Sequence, residues 1–146
     1  KGPEEPALRR AAGPRTRFVG WVGDEELVRL YSTCRGLLFP GVEDFGIAPL
    51  EAMACGRPVV AYGVGGARET VLGRAWAGDP HGTEVAPTGL FVTEQTPEAF
   101  AAAIRALGAN PEWIDPTNCR KRAEMFGRDV FRRRIREGLP RWAAGG

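Results

Sequence analysis

Short apolar runs alternate with amphipathic stretches along the chain. Gly36–Pro40 (GLLFP), Pro58–Tyr62 (PVVAY) and Gly89–Val92 (GLFV) are brief and apolar, as expected of strands buried on both faces of a parallel sheet. Residues 16–22 (TRFVGWV) predict a fourth strand. Between these runs the pattern turns helical. Residues 4–12 predict a short helix ended by Gly13-Pro14, and Asp24 is expected to cap a helix reaching Cys34, with Leu27, Leu30 and Tyr31 on one face. Ile47–Cys55 predicts a helix that tolerates Pro49 in its first turn and stops at Gly56 and Pro58. Gly65–Leu72 predicts the opening of another helix, residues 73–87 a Gly/Pro-rich loop, and Thr96 the cap of a helix over PEAFAAAIRAL. The tail from about Asp115 to Trp142 predicts helix, with Phe131, Ile135, Leu139 and Trp142 on one stripe and arginines on the other faces. Strands alternating with helices throughout predict an α/β fold, a parallel sheet covered by helices on both faces.

The 146 residues fit one domain, and 43% hydrophobic with 26% charged residues is ordinary for a soluble globular chain. The first 20 residues lack the charged-then-apolar order of a signal peptide. Cys34, Cys55 and Cys119 are odd in number and lack CxxC spacing, so reduced thiols in a cytoplasmic protein, mostly buried as small hydrophobes, are expected. His81 is the only histidine, so no metal site and no metal cofactor are expected. It reads as a surface residue, and Trp76, Trp113 and Trp142 read as packing residues. A net charge of +2 is too small to point to nucleic acid. Residues 120–141 nevertheless carry a net +6, against −4 elsewhere. The plain reading of that segment is a solvated helix face. A second reading gives it peripheral contact with anionic lipid at the inner face of a membrane.

The chemistry concentrates in residues 36–56, GLLFPGVEDFGIAPLEAMACG. A buried strand runs into a turn that opens a helix. Ligands in open α/β sheets sit beyond the carboxyl ends of the strands, where this turn lies. Gly46 permits close approach of backbone to a ligand, and the amides of Gly46, Ile47 and Ala48 at a helix start suit a phosphate. Glu43 in the loop and Glu51 one turn into the helix are poor phosphate ligands but good hydroxyl acceptors. Two carboxylates around an anion cradle fit a sugar phosphate, in which hydroxyls and phosphates alternate. The bland alternative makes Glu43 a loop charge and Glu51 a solvated residue near the positive end of the helix dipole. The second Gly-rich turn, Gly63-Val64-Gly65-Gly66-Ala67-Arg68, carries Arg68 where a dinucleotide fingerprint needs its third glycine. That speaks against the alternative of a dinucleotide-dependent oxidoreductase. A non-catalytic interaction module is the other alternative.

Taken together, Glu43, Phe45-Gly46-Ile47, Pro49, Glu51-Ala52-Met53-Ala54, Gly56, Pro58-Val59 and Gly65-Gly66 resemble the Glu-x7-Glu motif of the group 1, or family four, retaining glycosyltransferases. The resemblance extends upstream through Phe18-Val19-Gly20 and downstream through Thr88-Gly89-Leu90-Phe91 to Phe126 and the last helices, covering most of residues 2–142. It implies the C-terminal, donor-binding domain of an enzyme with two facing Rossmann-like domains, with residues 115–144 as its closing helices. It implies a nucleoside-diphosphate sugar as donor, transfer with retention and no required metal. Glu43 would lie by the transferred sugar as the catalytic carboxylate. Phe45, Gly46, Ile47 and Ala48 would approach sugar and diphosphate, Glu51 would hold the ribose, Val22 would lie near the base, and Gly65 and Gly66 would line the donor cleft. The family's phosphate-binding Arg/Lys pair has no match here. It belongs with the first two strands of the domain, which the resemblance places upstream, as it does the acceptor-binding N-terminal domain. Residues 1–146 alone are accordingly expected not to transfer sugar. The wording around the motif is closest in flavour to bacterial polysaccharide mannosyltransferases, which favours GDP-mannose as donor and a glycan or lipid-linked acceptor.

Overall fold

The computed structural model describes residues 2–82 and 85–143, with side chains described as far as residue 138. In chain order the elements are α1 (Glu5–Ala11), α2 (Asp24–Thr33), β1 (Leu37–Phe39), α3 (Ile47–Ala54), β2 (Val59–Tyr62), α4 (Ala67–Thr70), β3 (Gly89–Val92), α5 (Pro97–Ala109), a 3-10 turn (Pro111–Trp113), α6 (Pro116–Glu124) and α7 (Arg128–Ala143). The three apolar runs form one parallel sheet in the order β1-β2-β3, with Leu38 beside Val60 and Val60 beside Leu90.

Side chains alternate between the two sheet faces. Phe39, Val59, Ala61 and Phe91 point to one face, where Ala52 and Met53 of α3, Ala67 of α4 and Cys119 of α6 close a core. Val60, Leu90 and Val92 point to the other, covered by Phe100 and Ala103 of α5. Helices on both faces explain why β2 and β3 are apolar at nearly every position. Leu38 is the exception. It belongs to the face that α5 covers at β2 and β3, yet it is half-exposed on the outer strand. A cleft of about 450 Å³ opens there between Leu38, Val60, Ile104 and Leu107.

The expected strand at 16–22 does not form. Gly20 takes φ 68°, a left-handed kink that breaks an extended run, and no strand among the described residues pairs with it. Val19 and Trp21 stay exposed. Among the described residues the sheet therefore has three strands, with β1 and β3 as its outer ones.

Asp24 is also not the cap of α2. The chain turns helical one residue earlier, with Gly23 at the N-cap and no side-chain bond there, so Asp24, Glu25 and Glu26 instead place negative charge on the positive end of the helix. Thr96 is the cap that the sequence implies, and Asp115 caps α6. Thr96 accepts from the Ala99 amide at 3.2 Å, and Asp115 accepts from the Thr117 amide at 2.7 Å, which holds its carboxyl below the usual range. The helix expected at 65–72 shrinks to the single turn α4. On the tail stripe Phe131 is 63% exposed and Ile135 is half-buried, while the side chains of Leu139 and Trp142 lie outside the described residues.

Candidate donor site

Residues 42–48 line a shallow depression beyond the carboxyl end of β1. Its floor is built by glycine. Gly46, the N-cap of α3, sits at φ 79° with its Cα against the Phe39 ring. A Cβ there would lie 3.2 Å from Phe39 Cζ, so both backbone conformation and space call for glycine. No side chain caps α3. The amides of Ile47 and Ala48 thus stand at an uncapped helix start, and Pro49 at the third position brings no N–H that would need a partner. Glu43 and Glu51 are both exposed. Glu43 borders the depression, while Glu51 lies one turn into α3, toward α2.

The second Gly-rich turn is the back wall of this loop. The Gly66 amide donates to the Glu43 carbonyl at 2.8 Å. A Cβ on Gly65 would come within 2.8 Å of that same carbonyl oxygen, and one on Gly66 within 2.4 Å of the Asp44 carbonyl oxygen and 2.5 Å of Phe45 Cα. Gly65 and Gly66 are therefore needed so that two backbones can touch, whether or not they also meet a ligand.

Two features escape a reading of the sequence by motif. The Tyr31 hydroxyl donates to Glu51 Oε2 at 3.1 Å across 20 residues of chain. On periodicity Tyr31 is only an apolar helix position; its hydroxyl is the one signal that it has a second task. The junction of α6 and α7 also reaches the loop. The Phe126 ring stands edge-on to Phe45 at 5.9 Å, and Arg122 stacks over Phe126 at 4.9 Å while its Nε donates to the Thr70 carbonyl at 2.9 Å. Arg122 also bonds the Glu69 carbonyl, so it closes the C-terminal end of α4, and burial pulls its ionisation below the ordinary guanidinium range. Arg57, near the motif in sequence, donates to the Ser32 carbonyl at the end of α2. Val22 is half-buried just before α2, at the end of that helix away from Tyr31.

Other expectations resolve locally. The Trp76 indole donates to the Phe91 carbonyl at 2.8 Å and Trp113 lies under Arg74, so both are packing residues. His81 is exposed, in a turn where its amide donates to Asp79 Oδ1. All three cysteines are free thiols, Cys119 buried and the others half-buried. Among the described residues no cluster of His, Cys, Asp or Glu could hold a metal ion, and no helix is long and apolar enough to cross a membrane.

Residues 1–110 match the sequence model of the family described as glycosyl transferases group 1. The chain belongs to that family. Among curated relatives of this glycosyltransferase chain, a D-inositol 3-phosphate glycosyltransferase of Kineococcus radiotolerans is 40% identical over 106 residues, 65% of this chain and 23% of the relative. A GDP-mannose-dependent alpha-(1-6)-phosphatidylinositol dimannoside mannosyltransferase of Mycobacterium tuberculosis is 31% identical over 120 residues, 81% of this chain and 28% of the relative. The chain thus spans about a quarter of the length of the curated relatives it matches. Among solved structures, sucrose-phosphate synthase from Thermosynechococcus elongatus superposes with a TM-score of 0.75 at 31% identity, covering 97% of this chain and 34% of that one. The HepE protein of Anabaena, solved with UDP-glucose, shares the fold with a TM-score of 0.64 at 23% identity over 92% of this chain and 35% of that one. The family assignment removes the dinucleotide oxidoreductase alternative.

Proposed function

We propose that this chain is the donor-binding part of a retaining glycosyltransferase and holds a nucleoside-diphosphate sugar over the loop from Glu43 to Ala48. The observation that carries the reading is the helix start that follows the buried Gly46: no side chain caps it, Ile47 is exposed and Ala48 half-buried, and the exposed carboxylates of Glu43 and Glu51 lie on either side. The diphosphate is the leaving group, and charge develops on it as the glycosidic bond breaks. The Ile47 and Ala48 amides and the dipole of α3 meet that charge without reorganising. Glu43 accepts hydroxyls of the transferred sugar, and Glu51 accepts those of the ribose. Phe45 and Gly46 bring the loop against the donor, and Gly65 and Gly66 hold the loop from behind. Val22 lies toward the base.

GDP-mannose is the favoured donor, since one relative's name specifies it and several relatives are mannosyltransferases. The whole enzyme would pass the sugar to a glycan or lipid-linked acceptor held by a facing domain, at the cytoplasmic side of a membrane. The basic helix α7 would then lie toward anionic lipid. No divalent metal takes part, because amides and a helix dipole do the work a metal would do on the diphosphate. Thermal-shift screening of the full-length protein with GDP-mannose, UDP-glucose, GDP, UDP and ADP tests this. Stabilisation by a guanine or uridine nucleotide, unchanged by EDTA, is expected. No stabilisation by any of the five, or stabilisation that EDTA abolishes and manganese restores, contradicts the reading.

A further inference from the structure

Helices α2 and α3 meet through a polar contact at the site's edge. Tyr31 is half-buried, and its ring packs beside the core formed by Phe39, Ala52 and Met53. Only its hydroxyl reaches outward, to Glu51 Oε2 at 3.1 Å. Burial, and then the Glu51 carboxylate beside it, push the Tyr31 ionisation up to about 12. The phenol keeps its proton at neutral pH and acts there as a fixed donor.

An exposed glutamate on a helix samples several rotamers, and ordering it on binding costs part of the interaction it makes. Glu51 is held before any ligand arrives. We propose that Tyr31 is a positioning residue of the donor site, setting the Glu51 carboxylate in the orientation that receives the two ribose hydroxyls. The inference rests on the assignment of Glu51 to the ribose. The hydrogen-bond inventory allows it. An ionised carboxylate offers about four lone-pair sites. Tyr31 occupies one on Oε2, which leaves another on that oxygen and both on Oε1 for a vicinal diol. The tyrosine comes from a different helix and is anchored by core packing, so the carboxylate inherits the rigidity of the core.

Tyr31→Phe keeps the packed ring and removes only the donor. The experiment is calorimetric titration of the full-length protein with GDP or UDP, whichever the parent binds more tightly, and with its 2′,3′-dideoxy counterpart. Parent, Y31F, E51A and the double variant are compared. Y31F is expected to weaken the ribonucleotide about threefold to tenfold, the worth of one ordinary hydrogen bond. It should leave the dideoxy nucleotide unchanged and add nothing in the E51A background. A packing role alone would lower the melting temperature and leave the two nucleotides equally affected, which overturns the proposal. If E51A weakens the ribonucleotide and Y31F does not, the positioning role falls and the ribose assignment stands. If E51A binds it as tightly as the parent, both fall.

Discussion

The Gly66 amide is hydrogen-bonded to the Glu43 carbonyl at 2.8 Å, so the turn after β2 and the loop after β1 are one backbone unit. Gly66→Ala would drive a Cβ to 2.4 Å from the Asp44 carbonyl oxygen, a contact only backbone movement can relieve. Overpacking of this kind costs about 1–3 kcal/mol. The variant should lose that much stability in urea denaturation and bind nucleotide sugar at least tenfold more weakly. Gly41→Ala, in the same loop but with nothing within 4 Å of the new Cβ, is the control and should match the parent in both measurements.

The brace from the far end of the chain makes a second prediction. Phe126 carries the contact between Phe45 and Arg122. Phe126→Ala removes an edge-on aromatic pair and a stacked guanidinium, and should cost about 1–2 kcal/mol of stability. Because Phe45 belongs to the donor loop, donor affinity should fall several-fold as well. Thermal melts with calorimetry check both. A stability loss with unchanged affinity would mean that the junction of α6 and α7 supports the core and not the site.

Much of this arrangement is legible in the residues. PVVAY and GLFV are apolar at almost every position because helices cover both faces of the sheet there, while GLLFP is equally apolar although its Leu38 is half-exposed. Gly46 is readable as a backbone requirement, because the loop must turn into α3 against the Phe39 ring. TRFVGWV misleads because strand propensity counts side chains, while a strand needs a neighbour and an extended glycine; Gly20 supplies neither. Tyr31 to Glu51 and Phe126 to Phe45 span 20 and 81 residues, and no local pattern encodes such a pair. The double glycine at 65–66 reads from the sequence as a ligand turn. The structure adds the reason it must be glycine, which is the passage of residues 43–45 across it.

The thiols offer an independent check of the packing. Cys119 is fully buried between α3, α4 and β3, and burial, with the Asp115 carboxylate nearby, pushes its ionisation up to about 11. At pH 8 roughly a thousandth of it would be thiolate, against a fair fraction of an ordinary cysteine. Native protein treated with a disulfide reagent should label Cys34 and Cys55 first, and Cys119 only on unfolding. Labelling of all three at one rate would contradict the core as described.

The most direct measurement is the pair of variants Glu51→Ala and Glu43→Ala, titrated calorimetrically with GDP-mannose and with GDP in the full-length protein. Charge-assisted hydrogen bonds are worth roughly 1.5–3 kcal/mol each before competition with water is taken off. Glu51→Ala should therefore weaken both ligands by about 10- to 100-fold, each tenfold being about 1.4 kcal/mol. Its folding should change little, because alanine is the better helix former. Glu43→Ala should weaken GDP-mannose and leave GDP nearly untouched, since Glu43 is assigned to the sugar. If Glu51→Ala binds GDP as tightly as the parent does and shows only a small change in stability, Glu51 is a solvated helix residue and the donor-site account is wrong.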